Sequence, residues 1–301
     1  MRYFLLCISF VGILTAEPIT PLPRSVPVNP AKVQLGKALF FDPILSADGT
    51  VSCASCHDLY NGGDDGRRVS VGIRGQKGSI NAPTVLNALF NFRQFWDGRA
   101  KDLQEQAAGP IVNPVEMGNN FPDLIEKLNH SPYKAQFARI YDEGITQATI
   151  TDAIAEFEKT LITPDAPFDR YLRGEKDAIT EKKKEGYALF RLKGCIACHH
   201  GRNVGGNMYN KFGIIQRVDD NNLGRYNITK NPSDKYFFKV PSLRNVTKTA
   251  PYFHNGSAKN LRAAVVFMAK YQVGRPISAD EVDKIVAFLH ALEGNIPESI
   301  R

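Results

Sequence analysis

Cysteine is scarce in this 301-residue sequence: there are five, and four of them are committed to two copies of one short pattern. These are Cys53-Ala54-Ser55-Cys56-His57 and Cys195-Ile196-Ala197-Cys198-His199, so no thiol is left over for a structural disulfide. Histidine is thin as well, with six in all and none from Asp58 to Asn129. Trp96 is the single tryptophan. Beyond the first sixteen residues no apolar run is long enough to span a bilayer. The net charge of +7 is spread along the chain apart from Lys182-Lys183-Lys184, which reads as a solvated helix face. Basic clusters interleaved with stacking aromatics are missing, which argues against nucleic acid as a partner.

What is present begins with an N-terminal address. Arg2, the apolar run Phe4 to Leu14 and the small pair Thr15-Ala16 have the form of a secretory signal over residues 1–16. Cys7 lies inside that run without a lipoprotein context, so it is expected to leave with the signal. A soluble periplasmic product follows, with no membrane attachment after processing; the competing reading is a retained N-terminal anchor.

Strand signals are sparse, so the expected class is mainly α. A weak repeat links Gly36-Lys37-Ala38-Leu39-Phe40 with Gly186-Tyr187-Ala188-Leu189-Phe190, each ahead of one cysteine pattern. It implies two related domains, 17–165 and 166–301, joined by the proline-containing stretch Thr163 to Asp169. Apolar spacing predicts a helix over Thr149 to Ile162, and Thr180 is placed to cap a helix leading into the second pattern. Ser257 is expected to begin a helix on which Leu261, Val265 and Met268 share a face. Ser278 and Glu281 form a capping box ahead of Val282, Ile285, Val286, Leu289 and Leu292.

Each Cys-x-x-Cys-His is the attachment signature of a c-type haem: two thiols bond the macrocycle and the next histidine ligates iron. Zinc is the rival for paired cysteines, but the two pairs are far apart and each carries its own histidine. Two covalent haem c groups are therefore expected, anchored by Cys53, Cys56, Cys195 and Cys198 and ligated by His57 and His199. Such a chain is a redox protein, and the opposite face of each iron decides between electron transfer and chemistry.

Further motifs follow in order: Asn81-Ala82-Pro83-Thr84-Val85, Gln94-Phe95-Trp96-Asp97-Gly98-Arg99-Ala100, Asn113-Pro114-Val115-Glu116-Met117-Gly118 and Ala250-Pro251-Tyr252-Phe253-His254-Asn255-Gly256. With the haem patterns they resemble the bacterial di-haem cytochrome c peroxidases, over essentially the whole exported chain. The resemblance implies reduction of hydrogen peroxide, with electrons from a monohaem cytochrome c or a cupredoxin, by a protein that is commonly a homodimer. It implies Met268 as sixth ligand of the second haem, where relatives of the MauG type, which modify proteins, use tyrosine. It also implies Glu116 as acid and base for peroxide, Gln106 as a distal-pocket amide and Trp96 as a relay between the haems. Asn81, Thr249 and Pro251 match an interdomain calcium site made from amide and carbonyl oxygens. Three other classes compete: a pure di-haem electron carrier, with both irons closed; a MauG-like enzyme oxidising tryptophans of a partner protein, which Met268 speaks against; and a haem-based sensor, open but non-catalytic.

One departure stands out. Many members supply a distal histidine from the loop after the first haem pattern, and here Ile73 occupies that position in Ser70 to Gly78. Isoleucine cannot ligate iron, so the first haem is expected to be open even when fully oxidised, with little need for reductive activation. The motif match implies for His254 a contact with a propionate of the second haem or tuning of its loop, whereas His130 and His290 read as surface or packing histidines and His200 carries no assigned role.

Overall fold

The computed structural model describes residues 17–300, so the expected signal segment lies outside the described residues. The chain is mainly helical. In its first half α1 (Pro30–Phe41) is followed by α2 (Leu103–Val112), α3 (Phe121–Asn129), α4 (Tyr133–Ile140) and α5 (Gln147–Lys159). The second half holds α6 (Pro167–Leu172), α7 (Glu181–Leu192), α8 (Tyr226–Thr229), α9 (Leu261–Phe267) and α10 (Ala279–His290). A small antiparallel ribbon, β1 (Tyr209–Lys211) with β2 (Phe237–Lys239), pairs Tyr209 with Lys239.

Local chemistry sets these boundaries. Asn29 caps α1 by accepting from the Ala31 and Lys32 amides, with Pro30 in the first turn. The helix expected over 149–162 runs from 147 to 159, because the Thr146–Thr149 box nucleates it earlier and Thr160 ends it. Thr180 holds the cap position of α7, but its hydroxyl makes no capping bond. The helix expected to begin at Ser257 begins at Leu261, where Asn260 accepts from the Ala263 amide. The Ser278–Glu281 box opens α10 as expected.

The repeat read from the sequence is a repeat of packing. Gly36 of α1 lies so close to α5 that a Cβ there would sit 1.8 Å from the Ala153 carbonyl oxygen. Gly186 of α7 meets α10 in the same way, 1.9 Å from the Lys284 oxygen. Only glycine lets these helix pairs touch backbone to backbone. One turn further on, Phe40 packs on Phe157 at 5.3 Å and Phe190 on Phe288 at 5.2 Å. The same two phenylalanines lie 6.5 Å from the His57 ring and 6.4 Å from the His199 ring.

A second, longer repeat is visible in the backbone. Asn87 and Asn245 both adopt left-handed φ, 61° and 57°, and so do Phe95 and Phe253, at 66° and 73°. Bridges join Gln94 to Ala100 and Tyr252 to Ala258 at the same register. Continued without a gap, this register equates the caps Asp102 and Asn260, and then α2 with α9. Trp96 thereby corresponds to His254, Asn81 to Lys239 and Pro110 to Met268.

Each half has its own core, but the ends of the described chain cross over. Ile19 packs with Phe168, Tyr187 and Phe288 of the second core, and Ile300 joins Leu39 and Phe157 in the first. The junction is polar and dry: Thr163 is 1% exposed, and its hydroxyl accepts from both Asn87 and Asn245, each at 2.9 Å. Among the described residues no helix is long and apolar enough to cross a membrane.

Candidate functional site: two haem pockets and their junction

The Cys-x-x-Cys segments each form one tight turn, Cys53–Ser55 and Cys195–Ala197, closed by Cys56 N–H to Cys53 C=O at 3.1 Å and its counterpart at 3.2 Å. His57 follows and bonds the Gly63 carbonyl through Nδ1 at 3.0 Å. That fixes the tautomer and leaves Nε2 free for iron. Burial lowers the pKa of both histidines, His199 to about 4, so each is a neutral imidazole ready to ligate. Val204 and Pro241 backbone lies beside His199 and partly opposes that effect, although Nδ1 is buried without a bond of good geometry.

The second pocket is a cavity of about 380 Å³, bordered by Cys195, Cys198, His199 and Met268. Leu261 and Val265 border it too, so the face expected of α9 does meet the site. Met268 stands where α9 passes into a turn of π-helix, Met268–Val273, a distortion that re-aims side chains. An apolar cavity with two thiols, a neutral imidazole and a thioether fits a covalently held haem with histidine and methionine ligands.

The same cavity reaches across the junction to Asn81 and Trp96 of the first half, and is bordered by Thr249, Pro251 and His254 of the second. Trp96 donates its indole N–H to the Asn81 carbonyl at 2.9 Å. The Asn81 amide donates to the Arg67 carbonyl at 2.7 Å. The three residues of the expected calcium site all border this cavity. His254 is 2% exposed and pairs with Asp220 at 2.7 Å, while its ring stacks on Phe238 at 3.9 Å.

Near the first haem pattern, the core that holds Ala107 and Ile111 of α2 and Met117 of the loop after it also packs Cys53 and Ala54. That loop folds back on the helix through Met117 N–H to the Pro110 carbonyl and Asn119 N–H to the Ile111 carbonyl. Glu116 is thereby carried to the last turn of α2, within electrostatic reach of Cys56. Burial raises its pKa, opposed by the Arg99 guanidinium and by Asn113, whose amide donates to Oε1 at 2.6 Å. Arg99 is held 3.4 Å above the Phe95 ring, and Phe95 in turn packs on Gly109. Gln106 lies on α2 one turn before Pro110 and is half-buried.

Ile73 is 2% exposed and belongs to the first core. Its amide donates to the Glu116 carbonyl at 2.8 Å, and its Cδ1 occupies the space a Cβ on Gly118 would need. The loop carrying Ile73 is thus pinned against the loop of Glu116. The remaining histidines have local partners: His130 bonds the Glu126 carbonyl, His200 the Asn207 amide, and exposed His290 pairs with Glu293.

Arg99, Asp220 and Lys239 join the sites without having been singled out from the sequence. So do two buried acids near the first haem pattern, Asp64 and Glu158, whose pKa values burial raises to about 7 and about 8. Arg99 had a signal, its place in the Trp-Asp-Gly-Arg motif; the others become visible only through tertiary contacts.

Comparison with known proteins agrees with this geometry. The family model described as di-haem cytochrome c peroxidase matches residues 30–177, and that of cytochrome c matches 183–293. The cytochrome c551 peroxidase of Nitrosomonas europaea is 47% identical, over 95% of this chain and 87% of its own length. The cytochrome c peroxidase Ccp of Escherichia coli is 50% identical over 92% of this chain, which spans only 61% of that longer relative. A solved MauG-like protein associated with microbial copper homeostasis superposes with a TM-score of 0.79 at 27% identity, covering 95% of this chain and 96% of its own. With two haem-attachment patterns and matches along nearly its full length, the chain belongs to the bacterial di-haem cytochrome c peroxidases.

Proposed function

We propose that the protein reduces hydrogen peroxide to two waters at the first haem, using electrons received at the second from a small periplasmic donor, a monohaem cytochrome c or a cupredoxin. One asymmetry carries this assignment of roles. In the two equivalent helices, α9 offers Met268 to its pocket where α2 has Pro110, which has no ligating atom. The second site is closed for electron storage, and the first is open on the side of Glu116.

When bound, the haems supply the electron storage and the redox chemistry that breaks the peroxide O–O bond. The protein's part is ligation, proton movement and access. Glu116 takes a proton from one peroxide oxygen and gives it to the other, so the bond breaks with water as the leaving group. Its partly buried setting raises its pKa toward the operating pH, which strengthens the carboxylate as a base while letting the acid form persist long enough to hand the proton on. Gln106 orients the peroxide from α2. Two electrons and two further protons complete the two waters, with Trp96 bridging the pockets as the relay. Ile73, locked in the core, leaves the first iron accessible without prior reduction.

Asn81 Oδ1 and the Thr249 and Pro251 carbonyls would hold calcium with water completing its shell, a donor set of the hard oxygens this cation prefers. A homodimer and a periplasmic location complete the reading. The deciding experiment is steady-state peroxide reduction by the fully oxidised holoprotein with reduced cytochrome c. Immediate turnover supports the reading, and negligible turnover even after pre-reduction returns the chain to an electron carrier.

A further inference from the structure

The wall of the second cavity carries one buried charge that no carboxylate among the described residues answers. Lys239 ends β2, is 5% exposed and borders the cavity. Its backbone N–H donates to the Trp96 carbonyl at 2.7 Å, which fixes where the side chain starts. Among the described residues its ammonium has no carboxylate partner, and burial alone pulls its pKa down to about 8. An ammonium withdrawn from water with no counter-ion is costly, and a partner that arrives with the ligand removes that cost.

The cavity's ligand brings that partner. A haem carries two carboxylates, and among the residues bordering the cavity Lys239 is the one buried lysine or arginine. Lys211, the other lysine on the cavity's border, is exposed and already solvated. The internal repeat makes the contrast sharper. At the register of Lys239 the first half has neutral Asn81, whose carbonyl takes the Trp96 indole N–H. Both residues hold Trp96 through their backbone, but only the second-half residue adds a charge.

We infer that the Lys239 ammonium is the counter-ion of a propionate on the second haem and raises that haem's reduction potential. A fixed positive charge favours the state holding one more electron, and a site shielded from water makes the effect strong. Lys239 is thus a positioning and tuning residue for the electron port. The inference rests on the ligation proposed for that port, His199 with Met268, and is tested separately from it.

The test is a redox titration of the two-haem protein and its Lys239→Met, Lys239→Arg and Lys211→Met variants, with the methionine-to-iron absorption band scored in the same samples to report ligation. Lys239→Met is expected to lower the reduced-to-oxidised ratio of the second haem about tenfold at a fixed ambient potential, equivalent to about 59 mV for one electron. Lys239→Arg and Lys211→Met should keep the wild-type midpoint, and the first haem should not move. An unshifted midpoint in Lys239→Met carrying both haems overturns the inference, as does an equal shift in Lys211→Met. If Lys239→Met fails to retain the second haem, Lys239→Arg decides. Retention with the wild-type midpoint sustains the charge pairing, and failure to retain overturns it in favour of packing by the lysine stem.

Discussion

Trp96 and His254 occupy the same position of one repeated turn, and their rings meet edge to face with centroids 6.0 Å apart. Each is tethered from its far side, Trp96 by the Asn81 carbonyl and His254 by Asp220. The two halves therefore touch through side chains that duplication placed opposite each other and divergence made different. Replacing Trp96 with Phe keeps an aromatic ring but removes the tether and the easily oxidised indole. We expect normal haem content and a drop in steady-state peroxide turnover of about tenfold or more, about 1.4 kcal/mol on the barrier. Flash reduction of the second haem, followed at the first, checks whether the slowed step is the transfer between them.

Glu116 must be ionised to accept a proton, and burial raises its pKa. Activity should therefore fall as pH drops through a value above the ordinary glutamate range. Glu116→Gln keeps a partner for Asn113 but loses the base, so kcat is expected to fall by roughly 10²–10⁴-fold with the acidic limb gone. A pH profile of kcat with saturating donor reads both effects.

Ile73 makes a prediction about the resting enzyme. Electron paramagnetic resonance of the fully ferric protein should contain a high-spin or water-ligated signal from the first haem, and peroxide turnover should start without a lag. Ile73→His reintroduces a ligating side chain on a loop pinned to Glu116 and Gly118. If that histidine reaches iron, the variant becomes low-spin and needs pre-reduction. A purely low-spin wild-type spectrum would remove the open-site reading.

Glu158 ties stability to pH. Its pKa rises from 4.5 to about 8 because it is buried, so the folded chain keeps a proton that the unfolded chain releases. The stabilisation from that proton is complete below about pH 4.5 and is lost as pH climbs through about 8. Glu158→Gln mimics the protonated form. Thermal melts of the variant and wild type should coincide near pH 4 and separate near pH 9, with the variant more stable by about 1 kcal/mol or more.

Much of the site was legible because covalent haem attachment writes itself into adjacent residues: Cys53 to His57 and Cys195 to His199 need no tertiary context. Helix type was legible from apolar spacing, whereas the starts of α5 and α9 were not, because Thr146 and Asn260 compete with equally good caps nearby. The short repeat around Gly36 and Gly186 was visible in sequence. The longer one, equating Trp96 with His254 and Pro110 with Met268, was hidden because the side chains had diverged while backbone dihedrals and bridges had not. Lys239 and Asp220 were illegible for another reason. A lone lysine or aspartate in a loop or short strand reads as solvated, and only its burial reveals otherwise.

The crossing of Ile19 into the second core and Ile300 into the first reaches beyond packing. During synthesis Ile19 must wait for second-core residues as late as Phe288, and the first core gains Ile300 only after the second half has been made. The two halves should therefore melt as one unit, and loss of haem from either pocket should be felt in the other.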